Sequence, residues 1–142
     1  MATAFIEHIN LVVSDPERTA RLLADVFGWH ERWRGPARDG GFTVHVGSKD
    51  HYIALYTGPN GIHADARYPK GAPFNHVGIQ VDDLGDVEAR AKAAGLVPFN
   101  HDDYHPGRRF YFFDPDGIEY EIVSYAQSTG QPTGQPTGTG GA

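Results

Sequence analysis

An α+β fold of two tandem β-α-β-β-β modules is the architecture this sequence predicts, and three observations carry the prediction. One pattern is written twice in the chain. Each copy opens with an alternating strand followed by a capped helix. Three short strand candidates then follow each helix.

The duplication comes first. HINLVVSDPERTARLLADVFGW, from His8, aligns without a gap with HVGIQVDDLGDVEARAKAAGLV, from His76. His8, Leu11, Val13 and Asp15 thereby match His76, Ile79, Val81 and Asp83. A repeat of this length spans several elements, so it marks two copies of one supersecondary unit. The opening strands are FIEHINLVV at 5–13 and FNHVGIQV at 74–81. In the first helix Ser14 or Asp15 caps the start and Pro16 sits where its missing N–H costs little; Leu22, Leu23, Val26 and Phe27 keep helical spacing and Gly28 ends it. The second helix shows Val87, Ala91 and Ala94 on one face and stops at Gly95. The remaining strands are expected at about 29–34, 41–47 and 51–57, then at about 97–102, 108–114 and 118–125. Gly35-Pro36 and the Gly47–Asp50 turn separate the first set, and Asp114-Pro115-Asp116-Gly117 makes a tight turn in the second. The folded domain is therefore expected over 4–125, as repeats 4–57 and 74–125 joined by a Gly- and Pro-rich linker at 58–73. Residues 126–142 repeat Thr-Gly-Gln-Pro with no charge and little to bury, the composition of a flexible tail.

Composition narrows the function. With 39% apolar and 21% charged residues in 142, the chain suits one soluble domain. A formal charge of −6 with no basic run argues against tracking nucleic acid. The absence of cysteine removes disulfides, thiolate metal sites and a thiol nucleophile. No apolar run is long enough for a membrane span, and MATAFIEH lacks the form of a secretory signal, so a cytoplasmic protein is expected.

Strand alternation then picks out a constellation. Ile9, Leu11 and Val13 take the helix-packed face, which sends His8, Asn10 and Val12 to the other; Val77, Ile79 and Val81 do the same for His76, Gly78 and Gln80. In IEYEIVSY, Glu121 shares a face with Glu119 and Val123, opposite Ile118, Tyr120 and Ile122. A carboxylate there is costly to bury unless a cation offsets it. Two imidazoles and a carboxylate make a three-ligand set for one divalent ion, with positions left open for water or substrate.

EHINLVV with its early Asp-Pro, NHVGIQVDD and FYFFDPDGIEYEIV together resemble the vicinal oxygen chelate superfamily of glyoxalase I, extradiol dioxygenases, fosfomycin-resistance enzymes and bleomycin-resistance proteins, over about 5–125. The resemblance implies metal ligands at His8, His76 and Glu121, with Fe, Mn, Zn or Ni as the ion. Glyoxalase I supplies a fourth ligand from the last strand of the first module. Here HYIALYTG puts Ala54 opposite Glu121 by the repeat, so the resemblance favours the three-ligand extradiol and fosfomycin-type relatives. It also implies that Tyr111, ten residues before Glu121, contacts substrate and donates to a developing oxyanion. The first reaction expected is extradiol-type oxygenation of a small molecule chelated through adjacent oxygens. A fosfomycin-type thiol transfer or a glyoxalase-type lyase or isomerase reaction is the alternative. A non-catalytic drug-binding protein is the alternative of another class. SYAQSTGQPT carries no cation to grip a phosphonate, which weighs against the transferase.

Lesser candidates complete the set. His101 and His105 flank the loop before the Tyr111 strand and are candidate acid–base groups. His45 alternates with Val44 and Val46, Trp33 with Arg32, and Asn10 lies two residues beyond His8; all three are candidate substrate contacts. Arg108 and Arg109 either hold an anionic substrate or stay solvated on an edge strand. Exposed sheet edges and the habit of small members of the resembling family lead to the expectation of a homodimer.

Overall fold

Both helices begin and end where the capping residues dictate. Asp15 stands in extended backbone and its side chain accepts from Arg18 N at 3.1 Å, after which Pro16 opens α1 (Pro16–Phe27). Gly28 closes it at φ 72°, the left-handed conformation that favours glycine, with its N–H donating to Ala24 O. Asp83 caps α2 (Leu84–Ala93) in the same way by accepting from Asp86 N at 3.0 Å, and Gly95 follows at φ 90°.

The computed structural model describes residues 3–61, 73–104 and 107–125. The expected linker 58–73 lies mostly, and the tail 126–142 wholly, outside the described residues. The chain divides into two compact units, Met1–Arg67 and Tyr68–Ala142. The first contains β1 (His8–Val12), α1, β2 (His30–Pro36), β3 (Phe42–Gly47) and β4 (Tyr52–Thr57). The second contains β5 (His76–Gln80), α2, β6 (Phe99–Tyr104), β7 (Gly107–Phe113) and β8 (Glu119–Tyr125). Each is the β-α-β-β-β module that the duplication predicts. No helix among the described residues is long and apolar enough to cross a membrane.

The sheets have matching topology, β1-β4-β3-β2 and β5-β8-β7-β6. The opening strand of each pairs in parallel with the last, and the other pairs are antiparallel. In the first unit α1 buries Ala20, Leu23 and Val26 over a sheet face that buries Val44, Val46, Ile53 and Leu55. In the second, Leu84, Val87 and Ala91 of α2 are buried, as are Phe110, Phe112, Tyr120 and Ile122 of β7 and β8, the strands against which the helix lies. Burying these side chains contributes about 1.5–3 kcal/mol apiece for the larger apolar ones. Alternation then assigns the second face of each sheet to the polar and aromatic residues.

Three details differ from the sequence expectation. Strand β2 continues through Gly35 and Pro36 instead of stopping before them. Pro36 is tolerated because β2 is an edge strand. Strand β7 is internal, lying between β8 and β6, so Arg108 and Arg109 are not on an edge. Arg108 is exposed while Arg109 is 3% exposed. Bulges interrupt β2 between Glu31 and Trp33 and β6 between Phe99 and Asp102, where Asn100 has φ 52°. Each bulge shifts the side-chain alternation locally.

Candidate functional site

In the second unit, the face away from α2 gathers a row of charged groups. His76 Nε2 lies 2.9 Å from Glu121 Oε1, and Arg109 Nη1 donates to Glu121 Oε2 at 3.0 Å. Glu119 Oε2 stands 3.4 Å from His76 Nδ1. Glu119, Glu121 and Arg109 are all buried, so their charges have to be balanced within the row. The ladder explains why these side chains meet. β8 places Glu119 beside His76 and Glu121 beside Gly78, while β7 sets Tyr111 directly across from Glu121. Gly78 has no side chain to cover Glu121 from the β5 side, and a Cβ built there would meet nothing within 4 Å. The Tyr111 ring packs edge-on to His76 at 6.0 Å.

The face of the first unit away from α1 carries rings. Tyr52 stacks between His8, at 4.9 Å between centroids, and His45, at 4.5 Å, while Trp33 lies 5.1 Å from His45. The bulge in β2 turns Arg32 as well toward this side, with its guanidinium 4.6 Å above the Tyr52 ring. Burial, then the neighbouring His8 and Arg32, hold His45 below the usual imidazole range. His8 Nδ1 is 2.5 Å from Glu7 Oε1, and Asn10 is exposed.

The registers of the two sheets correspond along the ladders that join the first, third and last strands of each module. Asn10 pairs with Ala54 as Gly78 pairs with Glu121, and His45 faces Ala54 as Tyr111 faces Glu121. Ala54 therefore occupies the place that the repeat assigns to it, and His45 is the counterpart of Tyr111. His8 and His76 are counterparts with Tyr52 and Glu119 beside them.

The structure brings His76, Glu121, Arg109 and Tyr111 together in one unit, and His8, His45 and Trp33 together in the other. His101 is not in the Tyr111 cluster. It pairs with Glu88 of α2 at 2.8 Å and stacks on Phe110, whose side chain is in the core, so the bulge in β6 has carried it to the helix side. His105 lies outside the described residues. Among the described residues no three His, Asp or Glu side chains stand together as a metal-holding group. The His76–Glu121 pair nevertheless suits a cation chemically. Donor atoms on adjacent positions of one ion, with bonds of about 2.0–2.2 Å, lie about 3 Å apart. Glu119, Tyr52 and Arg32 were not singled out by sequence reasoning. The signal for Glu119 and Tyr52 was present, since alternation puts Glu119 on the Glu121 face and the repeat makes Tyr52 its counterpart.

The family model of the Glyoxalase/Bleomycin resistance protein/Dioxygenase superfamily matches residues 5–122. The chain belongs to this superfamily. Solved structures of the superfamily's fold resemble it over most of its length. A glyoxylase/bleomycin resistance protein/dioxygenase domain from Frankia sp. EAN1pec is 21% identical, with TM-score 0.75, covering 92% of this chain and 96% of that one. The fosfomycin resistance protein FosX from Listeria monocytogenes, in complex with Mn(II) and sulfate, is 21% identical, with TM-score 0.67, covering 89% and 95%. FosX from Mesorhizobium loti is 22% identical, with TM-score 0.62, covering 90% and 95%. Identities this low carry the superfamily fold and no specific chemistry. No curated protein matches the sequence significantly.

Proposed function

We propose that this superfamily member is a metal-dependent enzyme acting on a small molecule with two adjacent oxygens, and that His8, His76 and Glu121 hold the ion. The observation that carries the reading is the His76–Glu121 pair, an imidazole nitrogen and a buried carboxylate oxygen 2.9 Å apart on the face of the second sheet away from α2. His8 completes the set in this proposal because it is the register counterpart of His76. When bound, a divalent ion such as Fe, Mn, Zn or Ni supplies Lewis acidity and open positions for neighbouring oxygens. The chain's own groups do the rest. Arg109 balances and fixes Glu121, and the Tyr111 hydroxyl, across the ladder from Glu121, donates a hydrogen bond to oxygen that gains charge during reaction.

Extradiol-type chemistry is the first reading. Ala54 in place of a fourth ligand supports it, and the stacked rings of Tyr52 and His45, with Trp33 beside them, suit a planar substrate. In such a reaction the ring bond beside the two oxygen-bearing carbons breaks and both atoms of O₂ enter the product. The second reading is epoxide opening of the fosfomycin type, in which a thiol adds to a ring carbon and the epoxide oxygen takes up a proton. Tyr111 opposite Glu121 favours it, as does likeness to structures of fosfomycin resistance proteins. Homodimeric assembly and a cytoplasmic location belong to the same proposal.

Elemental analysis and titration calorimetry on the wild-type protein and on His8→Ala and Glu121→Ala variants test the metal. Each variant is expected to lose bound ion, with affinity falling at least tenfold, about 1.4 kcal/mol. Equal metal content in all three proteins would refute the ligand set. Oxygen uptake with catechols, set against thiol addition to an epoxide, separates the two reactions.

A further inference from the structure

We infer that Glu119 is a positioning residue for His76: it holds the Nδ1 side of the imidazole so that Nε2 is the nitrogen presented to a bound ion. The inference rests on the metal reading proposed above for what Nε2 meets, and on Glu119 itself for the rest.

Glu119 has a side chain only 4% exposed, and burying a carboxylate is costly unless its charge is met. It has no place in the ligand set or in the oxyanion contact assigned to Tyr111. Its position is set by backbone pairing, because the parallel ladder of β5 and β8 puts Glu119 directly beside His76, and alternation points both away from α2. The result is Glu119 Oε2 at 3.4 Å from Nδ1 and Glu121 Oε1 at 2.9 Å from Nε2. The two ring nitrogens of one imidazole thus face different carboxylates, one on each side. Glu121 is the carboxylate assigned to the ion, and Glu119 is the carboxylate on the Nδ1 side. A histidine ligand needs its other ring N–H held, because that fixes the ring plane and makes the free nitrogen the metal donor.

The first unit provides an internal comparison. His8 also directs Nδ1 at a carboxylate, Glu7 Oε1 at 2.5 Å. That carboxylate is the adjacent residue in sequence, and both side chains are about half exposed, at 45% and 54%. The pair is screened by water, so it constrains the ring less than a buried pair does. In both histidines Nδ1 is the nitrogen directed at the neighbouring glutamate, but only the second has a buried anchor supplied by a neighbouring strand.

The test uses the whole chain in four forms: wild type, Glu119→Gln, Glu119→Leu and Glu7→Gln. Mn²⁺ affinity is measured by calorimetry, and the His76 Nδ1 proton is followed by NMR in the metal-free protein. Glutamine keeps an acceptor of the same shape, whereas leucine removes it. We expect Glu119→Leu to lose the slowly exchanging His76 Nδ1 proton and to bind Mn²⁺ 10- to 100-fold more weakly. Glu119→Gln should retain the proton and stay within a few-fold of wild type, as should Glu7→Gln. A folded Glu119→Leu with wild-type Mn²⁺ affinity and an unchanged His76 signal overturns the inference, and so does a Glu119→Gln variant that behaves like Glu119→Leu. If wild type binds no Mn²⁺ or other divalent ion, the metal reading falls. The Nδ1 proton then decides the role of Glu119: its loss in Glu119→Leu and retention in Glu119→Gln uphold the anchor, and its persistence in both removes it.

Discussion

Tyr120 shows how one side chain can work against the fold it helps to fill. Its ring is fully buried and stacks on Phe112 at 5.1 Å, yet among the described residues no group accepts a hydrogen bond from its hydroxyl. A buried hydroxyl left in that state costs about 1–3 kcal/mol. Tyr120→Phe keeps the packing and removes the cost, so it should raise unfolding stability by about 1 kcal/mol in a urea titration. A loss of stability would mean that the hydroxyl has a partner. The same residue sets an alkaline limit. Burial, with Asp114 and Asp116 nearby, pushes the phenol well above its ordinary value of 10.0. Above about pH 10 the unfolded chain releases this proton while the folded chain retains it, so stability falls as pH rises. Stability is intact below that point, and the Phe variant should show a shallower alkaline decline. At this scale the sequence was informative about direction and silent about partners. Alternation assigns His76, Glu119 and Glu121 to one face, but nothing in it shows that Arg109 bonds Glu121, because that contact depends on which strands lie side by side.

At the level of elements, the caps and the duplicated order of strands were readable because their causes are local. Asp15, Pro16 and Gly28 fix α1 within a few residues of one another, and Asp83 and Gly95 do so for α2. The turn from β7 into β8 is equally local. Asp114 Oδ1 accepts from Asp116 N at 2.8 Å and from Ile118 N at 2.9 Å, and Gly117 supplies φ 85°. Asp114→Ala leaves two N–H groups without that acceptor and should cost about 2–3 kcal/mol, measurable as a fall in the thermal midpoint. A change below 0.5 kcal/mol, on the order of a neutral surface substitution, would show that the turn is held by its flanking strands. The bulges were not readable. A bulge is a mismatch between two strands, and the residues of β2 and β6 carry no mark of which partner residue is skipped. That is why His101, read as a neighbour of the Tyr111 strand, turns toward Glu88.

For the whole molecule, the internal repeat was the most informative feature of the sequence. It foretold two modules, and the matching ladders show that their correspondence extends to individual pairs such as Asn10 with Ala54 and Gly78 with Glu121. Assembly was not accessible in the same way, since exposed edges and apolar side chains such as Val12 and Phe113, 51% and 45% exposed, do not name what covers them. The proposal of a homodimer is checked by light scattering coupled to size exclusion. A mass twice the chain's 15.5 kDa is expected, and a monomer at micromolar concentration would remove dimerisation from the proposal.

The extra residue in β2 has a consequence of its own. Because Arg32 is the position skipped between Glu31, which faces Val46, and Trp33, which faces His45, it acts as a spacer as well as a charge. Replacing it with alanine would discharge the space above Tyr52 but leave the strand bent. Deleting it would straighten the strand while leaving the indole opposite the same imidazole. Comparing the two would show whether ligands respond to the curvature of this edge or to the cation it lifts into place.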